Sequence, residues 1–157
     1  LSTMTRAPIA IIGVGNYLRG DEGVGIHAIE KLKRMTWPDN VEIIDGGTPG
    51  VALLHLMEDR RLVILIDCAD FGGKPGEIEV FDPDRLEREE REEISLHATD
   101  LLTSLELARR VGRYPQKAMI LGVQPKSISP SVSLSSELVG ALDKIPDMVQ
   151  EVIREMG

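Results

Sequence analysis

Three side chains have the types and placement to do chemistry together: Glu22, Asp67 and His97. Glu22 lies in the run Gly13-Val-Gly-Asn-Tyr-Leu-Arg-Gly-Asp-Glu-Gly-Val-Gly25, just after the apolar stretch Ile9 to Ile12. Asp67 closes the apolar stretch Leu62 to Ile66, and His97 falls in the first turn of a helix expected after Ser95. Two carboxylates brought close repel each other, and a cation removes that penalty. The positive end of a helix disfavours imidazolium, so a histidine there is biased toward the neutral form that coordinates. Two carboxylates and one imidazole suit a divalent transition metal with open positions. Blander readings stand beside this one. Asp21 reads as a helix cap. Glu22 reads equally well as a residue stabilised by the helix dipole or as a side chain projecting from a sheet edge. An aspartate ending a buried strand commonly bonds loop N–H groups, and a histidine near a helix start is commonly a surface residue. Spacing alone does not choose among them.

The remaining reactive residues offer less. His27 and His55 lie within expected helices, without acidic or cysteine neighbours at ligand spacing, and read as structural or surface residues. Cys68 is the only cysteine, which excludes an internal disulfide. It has no base beside it in sequence and reads as a small buried residue. There is no Gly-x-Ser-x-Gly, Cys-x-x-Cys or His-Glu-x-x-His pattern, so the chain carries no self-contained protease machinery of the usual kinds.

The elements that must position these residues can be read from periodicity. Ile9 to Ile12 is a continuous apolar run, the pattern of a strand buried on both faces. Gly13 and Gly15 allow a tight turn, and Ile26, Ile29 and Leu32 mark one face of a helix over Gly23 to Met35. Val41 to Ile44 is a second strand, ending at Asp45-Gly-Gly-Thr-Pro-Gly50. Thr48 and Pro49 together read as a cap and first helical position, with the helix ending near Arg60. Leu62 to Ile66 is the most hydrophobic strand and is expected at the centre. Glu77 to Phe81 alternates polar and apolar residues, the mark of a half-exposed edge strand. Asp82 to Glu93 is charged at four-residue spacing and reads as a solvated helical turn. Ser95 caps a helix carrying Leu101, Leu102, Leu105 and Ala108 and ending at Gly112. Lys117 to Val123 is the last strand. A helical region starts at Ser133 or Ser135, with Pro146 breaking or kinking it. Alternating strands and helices predict an α/β fold in three layers: a mostly parallel, twisted sheet of about five strands with helices on both faces. In such sheets ligands bind beyond the carboxyl ends of the strands, where Glu22, Asp67 and His97 all fall.

With 157 residues the chain suits one domain, expected over residues 9–157 behind a flexible tail at residues 1–8 in which Met4 is the expected start. Its formal charge, 18 − 26 = −8, argues against nucleic acid or an anionic membrane as partner. No apolar run is long enough to span a bilayer. A cytoplasmic location and a monomer are the expectations.

Several motifs in order give the chain a family likeness. Gly13-Val-Gly-Asn-Tyr-Leu-Arg-Gly-Asp-Glu-Gly-Val-Gly25, Asp45-Gly-Gly-Thr-Pro-Gly50, the strand-ending Asp67, Ser95-Leu-His97 and Leu121-Gly-Val-Gln-Pro125 together resemble the hydrogenase maturation endopeptidases. The resemblance implies cleavage of a C-terminal extension from the large-subunit precursor of a nickel–iron hydrogenase after nickel insertion. It implies that Glu22, Asp67 and His97 read the nickel, which the precursor carries, so that no tightly bound cofactor of the chain's own is expected. It assigns Asp45, Gly46, Gly47 and Thr48 to substrate recognition. Glu22 is also a candidate general base, a role that competes with metal ligation for one carboxylate. Two other functions fit some of the same residues. A nickel-checking chaperone would use the same ligands without cutting. A dinucleotide-binding domain would use Gly13-x-Gly15 and Asp45, but Leu18 stands where its third glycine belongs, and Asp21 and Glu22 oppose a pyrophosphate.

Overall fold

The strand Ile9–Gly13 (β1) is buried along its whole length because a neighbour pairs with each of its edges and helices cover each of its faces. The computed structural model describes residues 6–86 and 96–157, with residues 96–100 described as helical backbone only. In it β1 is followed by a 3₁₀ turn over Gly20–Gly23 and the helix Val24–Leu32 (α1). Then come Val41–Asp45 (β2), Val51–Met57 (α2), Leu62–Cys68 (β3) and Ile78–Phe81 (β4). Leu96–Arg110 (α3), Lys117–Val123 (β5), Ser136–Leu142 (α4) and Ile145–Met156 (α5) complete the chain. The sheet order is β2-β1-β3-β5-β4, parallel throughout except for β4, which runs antiparallel to β5 at the edge.

Alternation along the buried strands builds the two faces. Ile9, Ile11, Ile64, Ile66, Met119 and Leu121 pack with α1, α4 and α5. Ala10, Ile12, Val63, Leu65, Ala118 and Ile120 pack with α2 and α3. The expected three layers are therefore present, with the central strand β3 fully apolar up to Asp67. Glu77 to Phe81 is the edge strand its alternation predicts, beginning at Ile78. The carbonyl of Pro8 accepts the N–H groups of Arg61 and Leu62, and Arg60 donates to the carbonyl of Ala7, so the chain joins the sheet before β1 begins.

Connectivity fixes where a ligand can sit. From β1 the chain crosses to β2 on one side and then returns to β3 on the other. Successive crossovers to opposite sides of one strand leave a crevice between the carboxyl ends of β1 and β3. A close approach of α1 to that crevice depends on Gly25, where an added Cβ would stand 2.3 Å from the carbonyl oxygen of Ile66.

Three local expectations need correction. The first helix is shorter than Gly23 to Met35: Gly23 belongs to the 3₁₀ turn, and the helix ends at Leu32 with Lys33 as its C-cap. Thr48 and Pro49 do not start α2: Gly50 is its extended N-cap and no side chain caps it. Pro146 kinks nothing; it lies in the first turn of a separate helix, α5, where its missing N–H is not needed. The expected charged turn over Asp82 to Glu93 is described only as far as Leu86; the rest of it and the Ser95 cap lie outside the described residues.

Candidate metal-reading cleft

Two of the three predicted ligands meet in the crevice. Glu22 and Asp67 are each only 3% exposed, and both line one cavity of about 180 Å³. Gly15, Asn16, Arg19, Thr48 and Pro49 form the rest of its wall. Glu22 comes from the 3₁₀ turn after β1, and Asp67 from the penultimate position of β3. Asp67 Oδ1 accepts the N–H of Cys68 at 2.7 Å. Arg19 Nε stands 3.6 Å from Glu22 Oε2. Among the described residues no set of three histidine, cysteine or acidic side chains is grouped to hold a metal. His97, the third predicted ligand, has its side chain outside the described residues. Its backbone position is informative nonetheless. The helix α3 ends just before β5 begins, and its 15 residues span about 22 Å at 1.5 Å each. Its first turn, with His97, therefore faces back toward the carboxyl ends of the strands.

The loop that carries Glu22 is shaped by Gly15. Its φ of +145° is strained for any residue with a side chain, and an added Cβ would lie 2.1 Å from the Glu22 carbonyl oxygen. That closeness allows the N–H of Asn16 to donate to the Glu22 carbonyl at 3.2 Å.

Asp21 does not cap a helix. It is fully buried, and its carboxylate accepts the N–H groups of Lys126 (2.8 Å), Ser127 (2.9 Å) and Ser135 (2.8 Å) and the Ser135 hydroxyl (2.6 Å). Burial works against its charge. The hydrogen bonds from Ser135, Ser127 and Lys126 outweigh burial and hold its carboxyl below the ordinary value. Asp21 thus fastens the 126–135 segment to the turn that aims Glu22. Ser135 is the N-cap residue of α4, yet its hydroxyl serves Asp21 instead of the helix.

The Asp-Gly-Gly-Thr segment is folded onto the same loop. Asp45 Oδ1 accepts the N–H of Gly47 at 2.9 Å, closing a local turn. Gly46 donates to Gly13 at 2.8 Å, and Gly15 donates to Gly47 at 2.9 Å. These bonds set Thr48 against the cavity wall. A second cavity of about 390 Å³ shares Gly15, Asn16 and Thr48 with the first. Tyr17, Leu18, Ile26 and Asp45 add to its lining. The four predicted recognition residues are therefore gathered beside the carboxylate cavity. A dinucleotide has no comparable seat, because the start of α1 is taken by the turn carrying buried Asp21 and Glu22.

The remaining candidates fall away. Cys68 is fully buried in the core, and that burial, reinforced by the charges of Asp67 and Glu22, pushes its thiol well above the ordinary value, the character of a packing residue. His27 stacks on Tyr17 with ring centroids 4.7 Å apart. His55 is exposed beside Glu58 and Arg113. Arg19 was not singled out in the sequence. Its signal was position alone, three residues before Glu22 inside the same motif.

Residues 26–155 match the family model described as hydrogenase maturation protease. The chain is 32% identical over 151 residues to the hydrogenase 2 maturation protease of Escherichia coli K12, covering 95% of this chain and 92% of that protein. It is 36% identical over 127 residues to the hydrogenase expression/formation protein HoxM of Azotobacter vinelandii, covering 80% of this chain and 61% of HoxM. The chain spans only about three fifths of the length of HoxM and of similar HupM and HupD proteins. Among solved structures, the hydrogenase maturating endopeptidase HybD from E. coli superposes with a TM-score of 0.80 at 31% identity, covering 98% of this chain and 94% of that one.

Proposed function

The chain belongs to the hydrogenase maturation protease family, and from that premise we propose that it is an endopeptidase removing the C-terminal extension of a nickel–iron hydrogenase large-subunit precursor. One observation carries the reading: two nearly buried carboxylates from separate elements face one small cavity, with the Asp45 to Thr48 loop beside it. Burying two acids together is costly unless a cation or hydrogen bonds compensate them. In this proposal the cation that the pair engages is nickel, and it arrives as part of the substrate.

Glu22 and Asp67 offer oxygen donors and His97 a nitrogen donor, an incomplete shell for a metal that the precursor already holds through thiolates. Engaging that metal tethers the precursor and aligns the scissile peptide, a proximity effect. The larger neighbouring cavity, with Tyr17 and Leu18 on its wall, receives the peptide chain next to the metal. Hydrolysis adds water across the peptide bond: the hydroxyl joins the carbonyl carbon, the C–N bond breaks, and a proton goes to the leaving amine. A precursor that lacks nickel has nothing to anchor it, so insertion is checked before cutting. The same reading takes the chain to act in the cytoplasm as a monomer. Among the described residues no helix is long and apolar enough to cross a membrane.

The test is intact-mass analysis of purified nickel-loaded precursor with and without this protein. Loss of the C-terminal extension supports the protease. Binding without loss of mass would make the protein a nickel-checking chaperone. Glu22→Gln then separates ligand from base: weaker precursor binding marks a ligand, and unchanged binding with lost cleavage marks a general base.

A further inference from the structure

We propose that the groove between α5 and the edge strand β4 is a docking surface for a basic amphipathic helix of a partner protein. The groove has a volume of about 380 Å³. Helix α5 lines it with Met148, Val152 and Met156, and the sheet lines it with Val80 of β4 and Met119 of β5. Among the described residues β4 pairs only with β5, so the sheet ends there. Val152 and Met119 are buried, whereas Val80 and Met156 are 38% and 40% exposed, so the groove carries apolar surface from the core out to solvent. Met119 belongs to the first half of β5, so the groove lies away from the carboxyl ends of the strands, where Glu22 and Asp67 meet.

The rim is acidic in a regular way. Asp147, Glu151 and Glu155 also line the groove, stand four apart along α5 and are all exposed. Residues four apart on a helix lie one above another, so the acids form a row beside the apolar row of Met148, Val152 and Met156. Helix chemistry accounts for only part of that row. Asp147 lies in the first turn, where the positive end of the helix favours it. Glu155 lies in the last turn, where the dipole disfavours a carboxylate, and Arg154, the basic residue of that turn, pairs with Glu151. A partner helix laid along α5 repeats its side chains every four residues, about 6 Å, so lysines or arginines at that spacing each meet an acid. Its apolar side chains then enter the groove, where the flexible methionines adapt to their shape. The net charge of −8 adds long-range attraction for a basic partner. A second copy of this chain fits poorly, because a two-fold dimer sets a patch against itself and would oppose acid row to acid row.

The test is NMR of the full chain with isotope-labelled methionine methyl groups, titrated with a synthetic leucine–lysine peptide spaced to form one apolar and one cationic helical face. The signals of Met119, Met148 and Met156 should shift together. Met57, sealed in the opposite layer, and Met35, exposed outside the groove, should stay in place. Asp147→Asn, Glu151→Gln and Glu155→Gln combined should weaken binding about tenfold, since exposed ion pairs each contribute modestly. Replacing the peptide's leucines by serine, or its lysines by glutamate, should abolish the shifts. Unmoved groove methionines, equal shifts at Met35, or equal binding of the glutamate peptide overturns the inference. Shifts that grow with protein concentration in the absence of peptide also overturn it, by assigning the groove to a second copy. None of these outcomes bears on the protease reading, which Glu22→Gln tests at the other site.

Discussion

Two acidic clusters at opposite ends of the sheet use their charge differently. Near the start of β5, Asp82 and Asp84 are met by cations: Lys117 bonds Asp82 at 2.6 Å, and Arg109 bonds Asp84. Tyr114 donates to Asp84 at 3.1 Å, and the Arg109 guanidinium lies 4.1 Å from the centre of the Tyr114 ring. At the carboxyl ends of β1 and β3, Glu22 and Asp67 are more deeply buried, with one half-exposed arginine between them and solvent. The first cluster is neutralised by its own chain and pins the β4 exit to α3 and β5. The second lies nearly buried on the wall of a small cavity. A nearly buried acid pair lining a crevice marks a candidate site, whereas an acid pair bonded across neighbouring elements marks architecture.

The comparison is most sharply tested by removing one acid from each cluster. Glu22→Gln should lower cleavage of nickel-loaded precursor by about a hundredfold or more, with thermal unfolding close to wild type. Next in size is Gly15→Ala, which forces a side chain into the φ of +145° against the Glu22 carbonyl. Its expected cost is about 3 kcal/mol in denaturant melts, accompanied by loss of cleavage as Glu22 is displaced. Asp21→Asn should cost about 2 kcal/mol, since an amide presents N–H groups to donors that a carboxylate accepted.

Asp21 also has a pH signature. Its carboxyl is held below the ordinary value, so its contribution is fully present above about pH 4 and is lost as pH falls through the lower folded value. Urea melts from pH 6 down to 3, as an estimated window, should show a steeper acid loss in wild type than in Asp21→Asn. The smallest effect belongs to the neutralised cluster. Asp84→Asn should leave cleavage within about twofold and cost about 1 kcal/mol. A large loss of cleavage there would erase the distinction between the clusters.

Much of this arrangement was legible in the sequence, for identifiable reasons. Ile9 to Ile12 and Leu62 to Ile66 are unbroken apolar runs, and only strands covered on both faces carry those. Once they were parallel neighbours, Glu22 and Asp67 had to approach one crevice. What sequence reading misassigned were residues whose partners are remote. Asp21 and Thr48 each stand where a cap is locally plausible; Asp21 instead bonds a distant segment, and Thr48 lines the cavity. Asp21 finds its partners between residues 126 and 135, more than a hundred positions later, and no local pattern announces them. Arg19 was overlooked for a related reason: beside an acid, an arginine reads as surface charge until a cavity is seen around it.

The Asp21 tie has a further consequence for biogenesis. The turn that aims Glu22 is synthesised early, but the segment that secures it emerges 105 to 114 residues later, after the internal strand β5. Loop closure over such a separation is slow compared with local turn formation. On the ribosome the N-terminal half therefore exposes its acids without their clasp. The cleft should therefore reach its final form only once residues 126–135 have left the ribosome.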